Sequence, residues 1–242
     1  MKNYVKETFR NRSDWLKSRG IGGSSASAIL GLSPWSNKLG LYCAIISDEP
    51  PEDESGDTES MQYGTQCEKH IREIAKLNLA QDGMRVTGPK AYEMYRRTDK
   101  PWMTATVDGT IKDLRTGAKG ILEIKTHDVR GRKDLAEWDG KIPDNYFVQV
   151  LHYMAVLTDC EFAILVAKLR FYDYSDGRRL SREEIRYYRV EREDPDTARQ
   201  IAYLEKKETE FWEGNVLPRI MPKVTIGEGG EKRTWNSNSE RI

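Results

Sequence analysis

The runs ATVDG, ending at Gly109, and ILEIKT, ending at Thr126, set Asp108, Glu123 and Lys125 inside segments that otherwise have the character of apolar β-strand. Charge in the middle of such a strand is costly unless a partner or a metal takes it up, so these three residues constrain what can be built around them. Residues 102–112, WMTATVDGTIK, alternate and are rich in Thr and Val; residues 120–126, GILEIKT, follow a turn over 113–120. A hairpin is expected, with Thr106, Asp108 and Thr110 on one face of its first strand and Glu123 and Lys125, two apart, on one face of its second.

The flanking segments supply the remaining layers. Gly64, Cys67, Glu68, Ile71, Ala75 and Leu79 recur at helical spacing, which predicts a helix over 62–79 with Glu68 on its buried face. An extended stretch is expected over 84–95. Pro143 opens a helix through PDNYFVQVLHYMAVLTD, followed by a buried strand over EFAILVAKLRFYDY and another over EIRYYRVER. A long helix from Asp194 to about Glu213, capped by Asp194 or Asp196, closes the pattern. The acidic run over 47–60 reads as a surface loop, and no repeat period is present. The pattern predicts an α/β fold, a mixed central sheet flanked by helices, as a single domain over 1–222, with a polar, disordered tail over 223–242.

Asp108 and Glu123 on paired strands, with Lys125 two residues further on, can converge on one point. Two carboxylates and a backbone carbonyl, which Ile124 is placed to offer, suffice for Mg²⁺, an ion that keeps several waters. Such an ion and a lysine together answer the needs of phosphodiester hydrolysis, an activated water and a neutralised anionic transition state. The bland alternative is an ordinary solvent-facing pair worth about 0 to 1 kcal/mol. Gln149 and Tyr153, one helical turn apart, face the same way and could orient a phosphate or a metal-bound water.

Taken together, W-x3-R with IGGSS (Trp15 to Ser25), G-x3-E (Gly64 to Glu68), VDG, LEIKT, Q-x3-Y and FWEGNVLP resemble the YqaJ group of viral recombinases in the PD-(D/E)XK nuclease superfamily, over roughly residues 13–218. The resemblance implies the restriction-endonuclease-like fold and a Mg²⁺-dependent exonuclease, with Mn²⁺ able to substitute. Asp108 and Glu123 would be its metal ligands, Lys125 would activate water, and Glu68 and Gln149 would assist. Arg19 and Ser24 would bind a DNA phosphate; a Gly-Gly-Ser turn that exposes amides and an arginine that forks onto phosphate oxygens agree with this on physical grounds. It further implies action on double-stranded DNA ends in the 5′-to-3′ direction, a single-strand annealing protein as partner, and a ring-shaped homotrimer. Two departures stand out: Ser25 takes the place of the acidic residue frequent in relatives, and Val107, not proline, precedes Asp108.

With 39 basic and 39 acidic residues the formal net charge is zero, so nucleic-acid binding has to come from local basic surfaces. Clusters occur at Arg96, Arg97 and Lys100, at Arg130, Arg132 and Lys133, and at Arg178 and Arg179; the second follows the catalytic strand directly. His127 lies beside LEIKT, and Trp35 is either a base-stacking wedge or core. Cys43, Cys67 and Cys160 are scattered, which argues against zinc, iron–sulfur and disulfide frameworks. No apolar run approaches the length of a membrane span and no secretory signal opens the chain, so a cytoplasmic protein is expected. The competing functions are a RecB-like single-strand nuclease of the same fold and a catalytically inactive DNA-binding module.

Overall fold

The computed structural model describes residues 2–47, 59–175, 177–223 and 240–241. In chain order the elements are β1 (Tyr4–Thr8), α1 (Arg12–Lys17), α2 (Gly23–Ile29), α3 (Lys38–Ile46), α4 (Glu59–Gln81), β2 (Met84–Thr87), β3 (Glu93–Arg97), β4 (Thr104–Ala105) and β5 (Gly109–Asp113). They continue with β6 (Lys119–Val129), α5 (Arg132–Ala136), α6 (Asp144–Val156), β7 (Phe162–Asp173), β8 (Arg179–Glu191), α7 (Pro195–Phe211), a π-type turn over Trp212–Val216 and β9 (Glu240–Arg241).

The main sheet has the order β2-β5-β6-β7-β8-β9 and is mixed: β6 and β7 run parallel and every other pair antiparallel. A parallel pair needs a crossover, and α5 with α6 provides it. Because helices cover both faces of β6, its side chains sort by the period of two. Ile121 and Val129 join the core under α6, whereas Leu122 and Ile124 join the core under α4. Glu123 and Lys125 therefore lie on the α6 side. Residues 147–156 of α6 are all buried, which suits a helix enclosed on every side.

Two expectations change. The strand expected over 102–112 is broken: β4 belongs to a second sheet, β1-β3-β4, and β5 begins only at Gly109. Asp108 sits at the bend, where its Oδ2 accepts a hydrogen bond from Ile124 N at 2.7 Å and so extends the β5–β6 ladder by a side chain. Thr106, Asp108 and Thr110 thus do not share one strand face. The extended stretch over 84–95 likewise divides, β2 joining the main sheet and β3 the smaller one. The acidic loop falls largely outside the described residues, as does most of the tail; of the latter, Glu240 and Arg241 pair with β8. Asp194 caps α7, its carboxylate accepting from Thr197 N at 2.9 Å. No helix among the described residues is long and apolar enough to cross a membrane.

One buried charge pair ties α6 to α7. His152 Nδ1 lies 2.7 Å from Glu208 and Nε2 lies 2.9 Å from the Thr104 carbonyl, two oxygen partners that favour the doubly protonated ring. Burial works against that charge, but Glu208 more than offsets it and the His152 pKa is raised. Replacing His152 with Ala leaves Glu208 buried without its cation and is expected to cost about 3–5 kcal/mol by urea unfolding. The stabilisation is complete below the unfolded-state pKa of about 6.5 and is lost as pH rises through the raised folded value. Wild-type stability should fall across that window, and Glu208→Gln should flatten the fall.

Candidate active site

Glu123 is the centre of the site. It is 2% exposed, and its Oε1 accepts from Gln149 Nε2 at 2.7 Å and from Lys125 Nζ at 2.6 Å. Its other oxygen, Oε2, is buried and receives no nitrogen or hydroxyl donor among the described residues; the group that hydrogen-bonds this carboxylate from the far side is the Asp108 carboxyl. Asp108 stands opposite, across the end of the β5–β6 ladder. In an extended strand the N–H and C=O of one residue point to the same side. Since Ile124 N points at Asp108, its carbonyl is turned toward the same gap.

The electrostatics show what the gap lacks. Burial pushes the Asp108 carboxyl up to about 8, and the neighbouring Glu123 adds to the rise. Glu123 is raised by its own burial against the opposing pull of Lys125. Glu68, on α4, is raised by burial and by Asp108. Burial disfavours charge on Lys125 as well, yet Glu123 and Asp108 more than restore it. Burial, the first cause in each case, favours the neutral form of these carboxyls, and a divalent cation beside Asp108 and Glu123 would restore their charge.

The residues fit Mg²⁺ on this count. Among the described residues no three His, Cys, Asp or Glu side chains gather around one point. An ion that retains much of its water shell does not need three: Glu123 Oε2, Asp108 and the Ile124 carbonyl supply hard oxygen. Glu68 is held back, since its carboxylate is paired with Arg72 one turn along α4. Gly64 lets α4 come this close to β6, because a Cβ there would lie 3.0 Å from Thr126 Oγ1.

Gln149 and Tyr153 form one unit. The amide donates both to Glu123 and, at 2.8 Å, to the Tyr153 hydroxyl. Tyr153, expected to touch DNA, is 5% exposed and its hydroxyl holds the Gln149 amide in place. The Gly-Gly-Ser segment rests directly on this pair: a Cβ at Gly23 would stand 2.4 Å from the Tyr153 ring and 2.8 Å from Gln149 Cγ. Ser24, the next residue, is exposed. The Arg19 guanidinium stacks 4.9 Å from the Trp15 ring centroid and reaches to within 3.3 Å of the Cβ position of Gly22. Arg19 is thus held where its charge acts on Tyr153, and Ser24 follows the glycine packed against Gln149 and Tyr153.

Other residues marked in the sequence have structural partners. Arg96 is bound by Glu7 and by the Ser18 and Pro101 carbonyls, Arg97 by Asp99 and the Ala155 carbonyl, and Lys100 by Glu205. Arg178 pairs with Asp128 and Arg179 with Asp173. His127 is 2.7 Å from Asp134, the residue that also accepts from Arg130 N. Arg130, Arg132 and Lys133 stay exposed. Trp35 is 74% exposed, so core packing is not its role; its ring lies 6.2 Å from that of Tyr146, over which Lys125 Nζ sits at 5.1 Å. Tyr146 itself, half-buried between the tryptophan and the lysine, gave no signal in the sequence.

The segment carrying Glu68, Asp108, Glu123, Lys125 and Gln149 lies within residues 14–161, which match the YqaJ-like viral recombinase domain. The chain belongs to that family. Protein YqaJ of Bacillus subtilis (strain 168), itself uncharacterized, is 31% identical over 235 residues, 94% of this chain. The chain spans 64% of that relative's length. The crystal structure of an alkaline exonuclease from Laribacter hongkongensis superposes with a TM-score of 0.52 at 18% identity, covering 84% of this chain and 95% of that one. The same enzyme in complex with dAMP gives a TM-score of 0.50 over the same shares. The fold is thus shared between this YqaJ-like domain and the exonuclease.

The close approach at Gly23 gives a direct test. Gly23→Ala should force α2 away from Gln149 and Tyr153, costing about 1–3 kcal/mol in denaturant unfolding. Nuclease assays on the folded variant should show a loss larger than that of Gly214→Ala, where a Cβ meets open space on an ordinary backbone.

Proposed function

We propose that the chain is a Mg²⁺-dependent nuclease that digests linear double-stranded DNA from its ends in the 5′-to-3′ direction. Membership of the YqaJ-like family and the fold shared with an alkaline exonuclease support a nuclease acting on DNA. The observation that carries the reading is the pair of buried carboxyls, Glu123 and Asp108, facing each other with no nitrogen or hydroxyl donor on Glu123 Oε2 and with Lys125 fixed 2.6 Å from its other oxygen.

Asp108, Glu123 and the Ile124 carbonyl would hold the ion, which would supply Lewis-acid stabilisation and an activated water. Mn²⁺, with the same taste for oxygen, would substitute. Lys125 keeps its positive charge beside the carboxylates and is placed to stabilise negative charge that develops on the phosphoryl oxygens. Gln149 fixes the Glu123 carboxylate and so leaves Oε2, not Oε1, for the ion. Arg19, whose charge acts on Tyr153, and Ser24, which follows Gly23, bind the terminal phosphate of the strand being cut. Trp35 offers a flat, exposed ring that any unpaired base can stack on. A ring-shaped homo-oligomer and a single-strand annealing partner belong to the same reading through the family resemblance.

Linear duplex should be degraded with Mg²⁺ and spared with EDTA, while a covalently closed circle should resist both; cutting of the circle would sink the end-directed reading. Lys125→Ala should abolish cleavage and leave DNA affinity in EDTA nearly unchanged, because the lysine acts on charge present mainly in the transition state. Arg19→Ala should erase the preference for a 5′-phosphorylated over a 5′-hydroxyl end with the metal requirement intact; unchanged discrimination would return Arg19 to a structural role.

A further inference from the structure

The sheet carries a second basic feature, distinct from the clusters visible in the sequence. Arg85 on β2 is directly opposite Lys112 on β5, and Lys112 is directly opposite Lys119 on β6. Three cations therefore stand in one row across three adjacent strands. Like charges at opposed positions are unfavourable for a sheet, so the row works against the fold that carries it. Lys119 is partly relieved by Asp159 at 2.6 Å. Neither Arg85 nor Lys112 makes an ion pair with any described residue, and both side chains are exposed.

The row borders a cavity of about 230 Å³, whose lining includes Arg85, Thr87, Thr110, Lys112 and Lys119. Thr87 and Thr110 are themselves opposed in register, and they bring hydroxyl donors alongside the cations. The direction of the row matters most. Lys119, Ile121 and Glu123 alternate along one strand and so occupy the same pleat face. Four residues of strand separate Lys119 from Glu123, about 13 Å at roughly 3.3 Å per residue. Ile121, between them on that face, is buried in the core under α6, so the row lies outside the enclosed part of the sheet that holds Glu123.

We propose that Arg85, Lys112 and Lys119, with Thr87 and Thr110, form a phosphate-binding track that takes backbone phosphodiesters of the DNA outside the Glu123 site. The proposal rests on the nuclease reading of the Glu123 site. It assigns an anion site to the outer part of the sheet, where bound phosphate would relieve the repulsion that Asp159 leaves between Arg85 and Lys112.

The test measures binding of a labelled duplex with a single-stranded tail, in EDTA, across a range of salt. Arg85→Ala/Lys112→Ala should lower the slope of log affinity against log salt by about 1.4 to 1.8, from roughly 0.7 to 0.9 per phosphate contact. Arg85→Lys/Lys112→Arg should keep the wild-type slope. A control with the same charge change on exposed α7, Arg199→Ala/Lys206→Ala, should not move it. A slope for the Arg85/Lys112 variant equal to that of the control overturns the track. Inorganic phosphate alone separates a strand track from a free-anion pocket: saturable phosphate binding that the variant loses, without a change in the DNA slope, also overturns it. Because both positions are exposed and the variant relieves their repulsion, its unfolding midpoint should not fall below wild type, which keeps the comparison interpretable. Wild-type protein that binds and cleaves DNA while the slope stays fixed refutes only the track; wild-type protein that does neither refutes the nuclease reading, and the track with it.

Discussion

A single buried carboxylate organises this molecule. Glu123 lies at the centre of the sheet, and burial alone would drive it to neutrality. Lys125 and Gln149 hold one of its oxygens, and the arrangement leaves the other without a nitrogen or hydroxyl donor among the described residues. Everything that supports those two contacts is thereby tied to the site: the β6 strand that spaces Glu123 from Lys125, the α6 helix that delivers Gln149, and the Tyr153 hydroxyl that fixes the amide. A buried polar set of this kind is favourable only when nearly all of its members are satisfied, so the exception at Oε2 is where a ligand is to be sought.

The supporting shell is built from close backbone approaches rather than from further charge. Gly23 brings α2 onto α6, Gly64 brings α4 onto β6, and a Cβ at either position would collide or crowd. The His152–Glu208 pair then pins α6 to α7 and, through the Thr104 carbonyl, to the smaller sheet. Rigid placement of α6 matters because its two inward polar residues set the orientation of Glu123 to within hydrogen-bond tolerance. The chain thus accepts the cost of an interior charge pair and of conformationally costly glycines in return for one fixed amide.

Much of this was legible in the sequence. The helix carrying Glu68, the hairpin that opposes Asp108 and Glu123, the α6 helix and the buried β7 all follow from period and turn chemistry, since local spacing dictates which side chains share a face. The break at Asp108 was not legible: 102–112 alternates well as one strand, and only the hydrogen bond from Ile124 N reveals why β5 starts late. Nor could the fate of the basic clusters be read. Arg96 and Arg97 look like a surface patch in sequence, yet carbonyls and carboxylates from segments up to 108 residues away consume them.

By itself, then, the sequence determined the alternation that puts Glu123 and Lys125 on one face, the helical spacing of Gln149 and Tyr153, and the motif set that belongs to the YqaJ-like family. These are properties of neighbours along the chain, fixed by the repeats of helix and strand. Only the tertiary structure decided that the Tyr153 hydroxyl accepts from Gln149, that Glu68 is held by Arg72, that Trp35 is exposed above Tyr146, and that Arg85, Lys112 and Lys119 stand in a row. Each of these depends on register or packing between segments far apart in sequence, where the outcome is set by which contacts satisfy buried groups and not by the identity of any one residue.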